Sequence, residues 1–204
     1  MDKWSKPADR KSIRKAMDAL RKNKFNVFLV ETPEDAKKKF FEIVPEGASI
    51  INSSSKTLDS IGIAKEINES GKYDSVKNKL NSMDRKTQHR QMQQLGSAPE
   101  WAVGSVHAIT KDGHVLIASR SGSQIPGYAY GADHVIWVAG IQKIVENINE
   151  GIKRIFEYCL VLESKRVQKA YGMEKSTVSK ILIFNEEINP DRTTIILINQ
   201  AIGF

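Results

Sequence analysis

Two short polar loops in this chain concentrate residues that can hold an anion. Ser53-Ser54-Ser55-Lys56-Thr57 follows the apolar run Ala48 to Asn52 and precedes LDSIGIAKEIN, whose Leu58, Ile61 and Ala64 to Ile67 have helical spacing. A strand end that feeds hydroxyls into a helix start presents unpaired N–H groups, and Lys56 adds a point charge suited to phosphate or carboxylate. The second loop, Ser121-Gly122-Ser123-Gln124, follows the run His114 to Ser119. Gly122 removes β-carbon bulk there, so backbone N–H groups and serine hydroxyls can converge on a ligand. Each loop has a plainer reading as well: Ser55 or Thr57 as a helix N-cap, and Gly with Ser as an ordinary turn. The candidate ligand contacts are Ser54, Ser55, Lys56, Thr57, Ser121, Gly122, Ser123 and Gln124.

Proton transfer has two candidates, His107 and Glu163, either of which could serve as acid, base or nucleophile. His107 lies in an apolar strand, where a histidine is more often a satisfied or ligand-orienting side chain. Glu163 stands three residues before Arg166, the spacing of a simple helix ion pair. Asp112-Gly113 between two β-branched runs signals a hairpin. A two-residue turn there places His107 opposite Ala118 and Ser105 opposite Arg120. Alternation then puts Ser105, His107 and Arg120 on one side, which adds Ser105 and Arg120 to the ligand-binding candidates. Cys159 fits the apolar stripe of a helix and reads as a core thiol.

These residues need a scaffold, and the chain spells one out. Ile13, Met17 and Leu20 predict an amphipathic helix to about Lys22, FNVFLV a strand from Phe25, and Pro33 a helix buried through Ala36, Phe40, Phe41 and Val44. The polar stretch from Gly71 to Leu95 predicts a surface helix. Val103 to Thr110 and His114 to Ser119 predict the antiparallel pair, and Val135 to Val138 a further strand. Lys143 to Leu162 reads as one long packed helix, and SKILIFNEE and RTTIILIN as closing strands joined by a hairpin-like turn at Asn189 to Arg192. Strands alternating with helices argue for an α/β fold with a mostly parallel sheet flanked by helices, carrying an antiparallel hairpin and an N-terminal helix. The expected division is residues 1–24 as a basic helical extension and 25–204 as the α/β domain.

Composition narrows the functions. The chain has 204 residues and a net charge of +7. Nine basic and three acidic residues lie between Met1 and Lys24, whereas the stretch from Gly96 onward is balanced at eleven of each. A basic helix face without a zinc finger or an aromatic RNA motif does not indicate nucleic acid. No apolar run approaches the roughly 20 residues of a membrane span, and the start lacks the apolar core of a signal peptide, so a cytoplasmic protein is expected. The single cysteine cannot ligate an iron–sulfur cluster within one chain, and neither a Gly-x-Gly-x-x-Gly fingerprint nor paired-histidine spacing is present. No cofactor and no metal site are expected.

The ordered set NSSSKTLDSIGI (Asn52 to Ile63), GSVHAIT (Gly104 to Thr110), SGSQ (Ser121 to Gln124), GADHVIWV (Gly131 to Val138), QKIV (Gln142 to Val145) and RIFEYCLVLES (Arg154 to Ser164) resembles the lactate-utilisation (LUD) domain family from about Ala16 to Phe204. The resemblance implies a fold like that of ribose-phosphate isomerases, glucosamine-phosphate deaminases and CoA transferases, with ligands held at the C-terminal ends of parallel strands. It implies a small anionic metabolite as ligand, and a role as a cluster-free component of lactate utilisation beside an iron–sulfur redox partner protein. The alternatives are an isomerase, hydrolase or transferase of sugar phosphates or CoA esters, and a non-catalytic interaction module. The sequence departs from the family pattern in having His107 where relatives within lactate-oxidising complexes often have Asn, and Val161-Leu162-Glu163 where the family usually has Pro-Leu-Glu.

Overall fold

The computed structural model describes residues 3–204. Its helices are Arg10–Lys22 (α1), Pro33–Ile43 (α2), Lys56–Ser60 (α3), Ile63–Glu69 (α4), Val76–Ser82 (α5), His89–Ser97 (α6), Ile148–Arg154 (α7) and Leu160–Tyr171 (α8). The strands are Asn26–Val30 (β1), Ser49–Asn52 (β2), Asp74–Ser75 (β3), Trp101–Gly104 (β4), Ala108–Thr110 (β5), Val115–Ser119 (β6), His134–Gly140 (β7), Ile144–Val145 (β8), Lys180–Phe184 (β9) and Thr193–Ile198 (β10). None of the helices is long and apolar enough to cross a membrane.

Local chemistry sets the early boundaries. Asp9 caps α1 by accepting from the Ser12 N–H, and Thr32 with Asp35 forms a capping box at α2, where Pro33 takes the first turn. The strands form two sheets. The first is parallel throughout, in the order β1-β10-β7-β4-β2-β3; the second, β8-β5-β6-β9, is mixed. Alternation along the strands builds three apolar layers. Ile50, Val103, Ile136, Val138, Ile196 and Ile198 pack beneath Phe40 of α2, Leu58 of α3 and Ile63 of α4. Ala102, Val135, Trp137, Ile195 and Leu197 face Ile109, Val115 and Ile117 of the second sheet, and Ile13, Met17 and Leu20 of α1 join them. Ala108, Leu116 and Val145 turn outward to Ile155. The α/β reading with a mostly parallel, helix-flanked sheet holds.

Four local expectations change. The run from Val103 to Thr110 is two strands in different sheets, broken at Ser105-Val106-His107. Lys143 to Leu162 is not one helix: residues 141–143 make a 3-10 turn, β8 follows, and only then α7, a π-helical turn at Ile155–Cys159, and α8. β9 and β10 belong to different sheets, so the turn between them closes no hairpin. The polar stretch after Gly71 also divides, into β3, α5 and α6.

The two breaks define the architecture. Neighbouring strands β4 and β7 of the first sheet each kink and continue as neighbouring strands β5 and β8 of the second. The linkers Ser105-Val106-His107 and Ile141-Gln142-Lys143 therefore lie side by side at the fork between the sheets, at the C-terminal ends of the parallel strands.

Candidate functional site

The fork gathers polar side chains in an otherwise apolar interior. Lys143 is buried, at 2 % relative exposure. Its Nζ donates to Ser105 Oγ at 2.9 Å and to Thr57 Oγ1 at 3.3 Å. Ser105 in turn donates to the Val138 carbonyl at 2.6 Å, which ties the β4 linker to β7 where the ladder ends. Thr57 arrives from the first turn of α3. Lys143 has no carboxylate partner among the described residues, and burial followed by the neighbouring Arg154 cation lowers its pKa to about 7, with Cys159 acting weakly the other way.

Asn52 ends β2 as the register partner of Val103, on the face to which Ser105 belongs by alternation. It is 3 % exposed, and neither its Oδ1 nor its Nδ2 has a hydrogen-bond partner among the described residues. Buried amide groups are almost always paired, so this unpaired carboxamide at a strand end suits a ligand or water.

Behind the lysine, Arg154 is fully buried and donates to the His107 carbonyl, to Cys159 Sγ at 2.9 Å and to the Trp4 carbonyl at 3.4 Å. The π-helical turn that begins after Arg154 places Cys159 back under the same guanidinium. His107 Nδ1 accepts the Ala118 N–H at 3.1 Å, which puts the neutral ring's proton on Nε2. Burial first, then Lys143 and Arg154, lowers the His107 pKa to about 3, so the ring is neutral at physiological pH. Burial pushes the Cys159 thiol up against the opposing pull of Arg154 and Lys143.

A strap closes the fork. Gln142 Oε1 accepts the Ile202 N–H, and its Nε2 donates to the carbonyls of Ile202 and Gly203 at 2.8 and 3.2 Å. Gly203 has a φ of +68°, and a β-carbon there would overlap the Thr57 hydroxyl. Gly140 ends β7 where a β-carbon would meet Gln142, Gln200 and Ile202.

Of the residues picked out in the sequence, Thr57 and Ser105 meet at Lys143. Ser54 and Lys56 are exposed on the rim, and Ser55 caps α3 by accepting the Leu58 N–H at 3.3 Å. The loop Ser121 to Gln124 satisfies itself: Ser119 Oγ donates to Gln124 Oε1 and accepts from the Gly122 N–H, while Ser121 bonds Ser123. The helix after that loop passes through a π-turn and carries Tyr128 to Ser53, with Oη and Oγ 2.9 Å apart. A β-carbon at Gly104 would overlap that hydroxyl.

The hairpin turn has three residues, not two. Ala108 opposes Leu116 and Ile109 opposes Val115, so Thr110 and His114 flank Lys111-Asp112-Gly113, with Gly113 at φ +89° in the manner of a bulged turn. The one-residue change in register removes the expected pairing of Ser105 with Arg120. Arg120 is exposed and donates to Met173 Sδ at 3.2 Å. Glu163 holds Arg166 through two bonds of 2.7 Å on the surface of α8.

Sequence reading missed Lys143, Asn52, Gln142 and Arg154. The available signal was Gln142-Lys143 set between Ile141 and Ile144 directly after a glycine-terminated apolar run. Among the described residues no three His, Cys, Asp or Glu side chains gather to hold a metal ion.

No curated protein matches the sequence. The solved structure of a DUF162 family protein from Deinococcus radiodurans is similar, with a TM-score of 0.58 and 11% identity over 94% of this chain and 99% of that one. The LUD domain family matches residues 13–198. A family match over nearly the whole chain shows that this chain belongs to the LUD domain family.

Proposed function

We propose that this chain binds a small anionic metabolite at the fork, with Lys143 as its counter-charge and Ser105, Thr57 and Asn52 as its hydrogen-bonding frame. One observation carries the reading: a buried ammonium whose bonds go to hydroxyls, with no carboxylate partner among the described residues. Burying an unpaired ammonium costs on the order of several kcal/mol, and a bound anion offsets that cost. The likeness to the lactate-utilisation family supports a short 2-hydroxy or 2-oxo carboxylate as the ligand, lactate and pyruvate first. Ser54 and Lys56 on the rim draw the anion in, and the loop Ser121 to Gln124 bounds the entrance through Tyr128 and Ser53. In this reading the protein serves lactate utilisation, and the electrons of an oxidation leave through an iron–sulfur partner protein.

Titration calorimetry with lactate, pyruvate and phosphate tests it. Lys143→Met abolishes binding of the preferred anion, and Lys56→Ala weakens it by a smaller factor, since one exposed charge near a helix start is worth about 0.3 to 1 kcal/mol. Equal affinities in wild type and Lys143→Met would remove the proposal.

A further inference from the structure

We infer that Lys143 is a nucleophile as well as a counter-charge, and that it condenses reversibly with the carbonyl of a short 2-oxo acid to form an imine. The inference rests on the anion-binding reading above and adds covalent chemistry to it.

The geometry favours a reactive amine over a permanently charged one. A lysine is activated when it is desolvated and held beside a second cation, because both effects disfavour the ammonium. Lys143 meets both conditions: it is 2 % exposed, and the fully buried Arg154 is its neighbour. The groups facing it are Ser105 and Thr57 from the strand linker and α3, and Arg154, Cys159 and His107 from behind. His107 is neutral, and no carboxylate among the described residues restores the charged form.

The hydrogen bonds also orient the amine. A neutral Nζ carries two hydrogens and one lone pair. One hydrogen goes to Ser105 Oγ at 2.9 Å and the other to Thr57 Oγ1 at 3.3 Å, so the lone pair is left for a carbon electrophile. Ser105 commits its own proton to the Val138 carbonyl at 2.6 Å, which holds its oxygen toward the lysine as acceptor. The unpaired carboxamide of Asn52 supplies a donor for the substrate's carboxylate or carbonyl oxygen.

The chemistry balances without an oxidant. The Nζ lone pair attacks the 2-oxo carbon, the C–N bond forms, and the carbonyl electrons move to oxygen. The two nitrogen protons pass in turn to that oxygen through the hydroxyl of Thr57, the C–O bond breaks, and water leaves. Amine and carbonyl thus give imine and water. The strap held by Gln142 limits entry of water, which would hydrolyse the imine.

The test is reductive trapping with borohydride in the presence of pyruvate or glyoxylate, followed by peptide mapping of the native protein. Wild type acquires an N-carboxyalkyl group at Lys143 ahead of every surface lysine. Lactate, which has no keto or aldehyde carbonyl, gives no adduct and slows labelling by pyruvate. Lys143→Arg keeps the positive charge and binds pyruvate by calorimetry, yet gives no adduct; Lys143→Met gives neither. Ser105→Ala slows labelling more than it weakens pyruvate binding. Pyruvate that binds without a trapped adduct at Lys143 overturns the imine and leaves anion binding standing. Labelling spread evenly over exposed lysines also overturns it, and failure of every 2-oxo and 2-hydroxy acid to bind removes both readings.

Discussion

Replacing Lys143 by Met should change how stability varies with pH in a direction fixed by the structure. Met keeps the length of the side chain and removes its charge. In wild type the folded-state pKa is lowered to about 7, chiefly by burial and then by Arg154, while the unfolded chain titrates near its ordinary 10.5. Between those values the unfolded state holds a proton that the folded state has released. Stability therefore rises with pH through this window, with a slope of up to about 1.4 kcal/mol per pH unit for one proton. From pH 8 to 9.5 that amounts to roughly 2 kcal/mol. Cys159 acts in the opposite sense at the upper end, because burial raises its pKa and the unfolded state loses its proton first. Subtracting the Lys143→Met curve from the wild-type curve cancels most of that term. Urea unfolding at half-unit steps from pH 6 to 9.5 supplies both curves. A difference curve that climbs between pH 7 and 9.5 supports a buried, depressed lysine; a flat one means that Lys143 is solvated and ordinary.

Anion affinity follows the same titration with the opposite trend, since the ammonium is the binding form. Between pH 7 and 9 lactate affinity should fall by up to about 50-fold by calorimetry, and affinity independent of pH would show that another group carries the charge. His107 governs the acid limb. Its folded pKa of about 3 lies below the ordinary 6.5, so stability falls as pH drops through 6.5, and His107→Asn should flatten that limb in acid unfolding curves. Gly203→Ala strains a left-handed residue and presses on Thr57, so amide exchange at residues 200–203 should accelerate while the global unfolding midpoint stays within a few degrees. Glu163→Gln should leave ligand affinity unchanged, because Glu163 pairs with Arg166 on the surface.

Periodicity made most of the fold legible, and short linkers hid the site. The helix at Ile13, Met17 and Leu20, the strand at FNVFLV and the capped helix at Pro33 each show a full period of apolar residues, and they lie where that pattern places them. Lys143 lies in a three-residue turn followed by a two-residue strand, too short to display any period, and the strong helical pattern from Ile148 onward absorbed it. The run from Val103 to Thr110 is apolar throughout, so nothing in it marks the passage from one sheet to the other; Gly104, with no room for a side chain beneath Tyr128, is the only local sign. The hairpin register turned on a single residue. Lys111-Asp112-Gly113 with a positive φ at Gly113 is a three-residue turn, in which Thr110 Oγ1 accepts the His114 N–H at 2.8 Å. Thr57 was legible as a hydroxyl where a strand feeds a helix start, whereas Ser105 was picked from a hairpin pairing with Arg120 that the structure does not make. Asn52 was not legible, since its lack of partners depends on what β4 and α3 bring to it.

The most direct test of anion binding at the fork is a crystal structure of the protein with lactate, at a concentration that saturates binding by calorimetry. The proposal predicts the lactate carboxylate within about 3.2 Å of Lys143 Nζ, with Asn52 and Ser105 or Thr57 among its other partners. Lactate held only at Lys56 or against the loop Ser121 to Gln124, with Lys143 still bonded to hydroxyls alone, would contradict it.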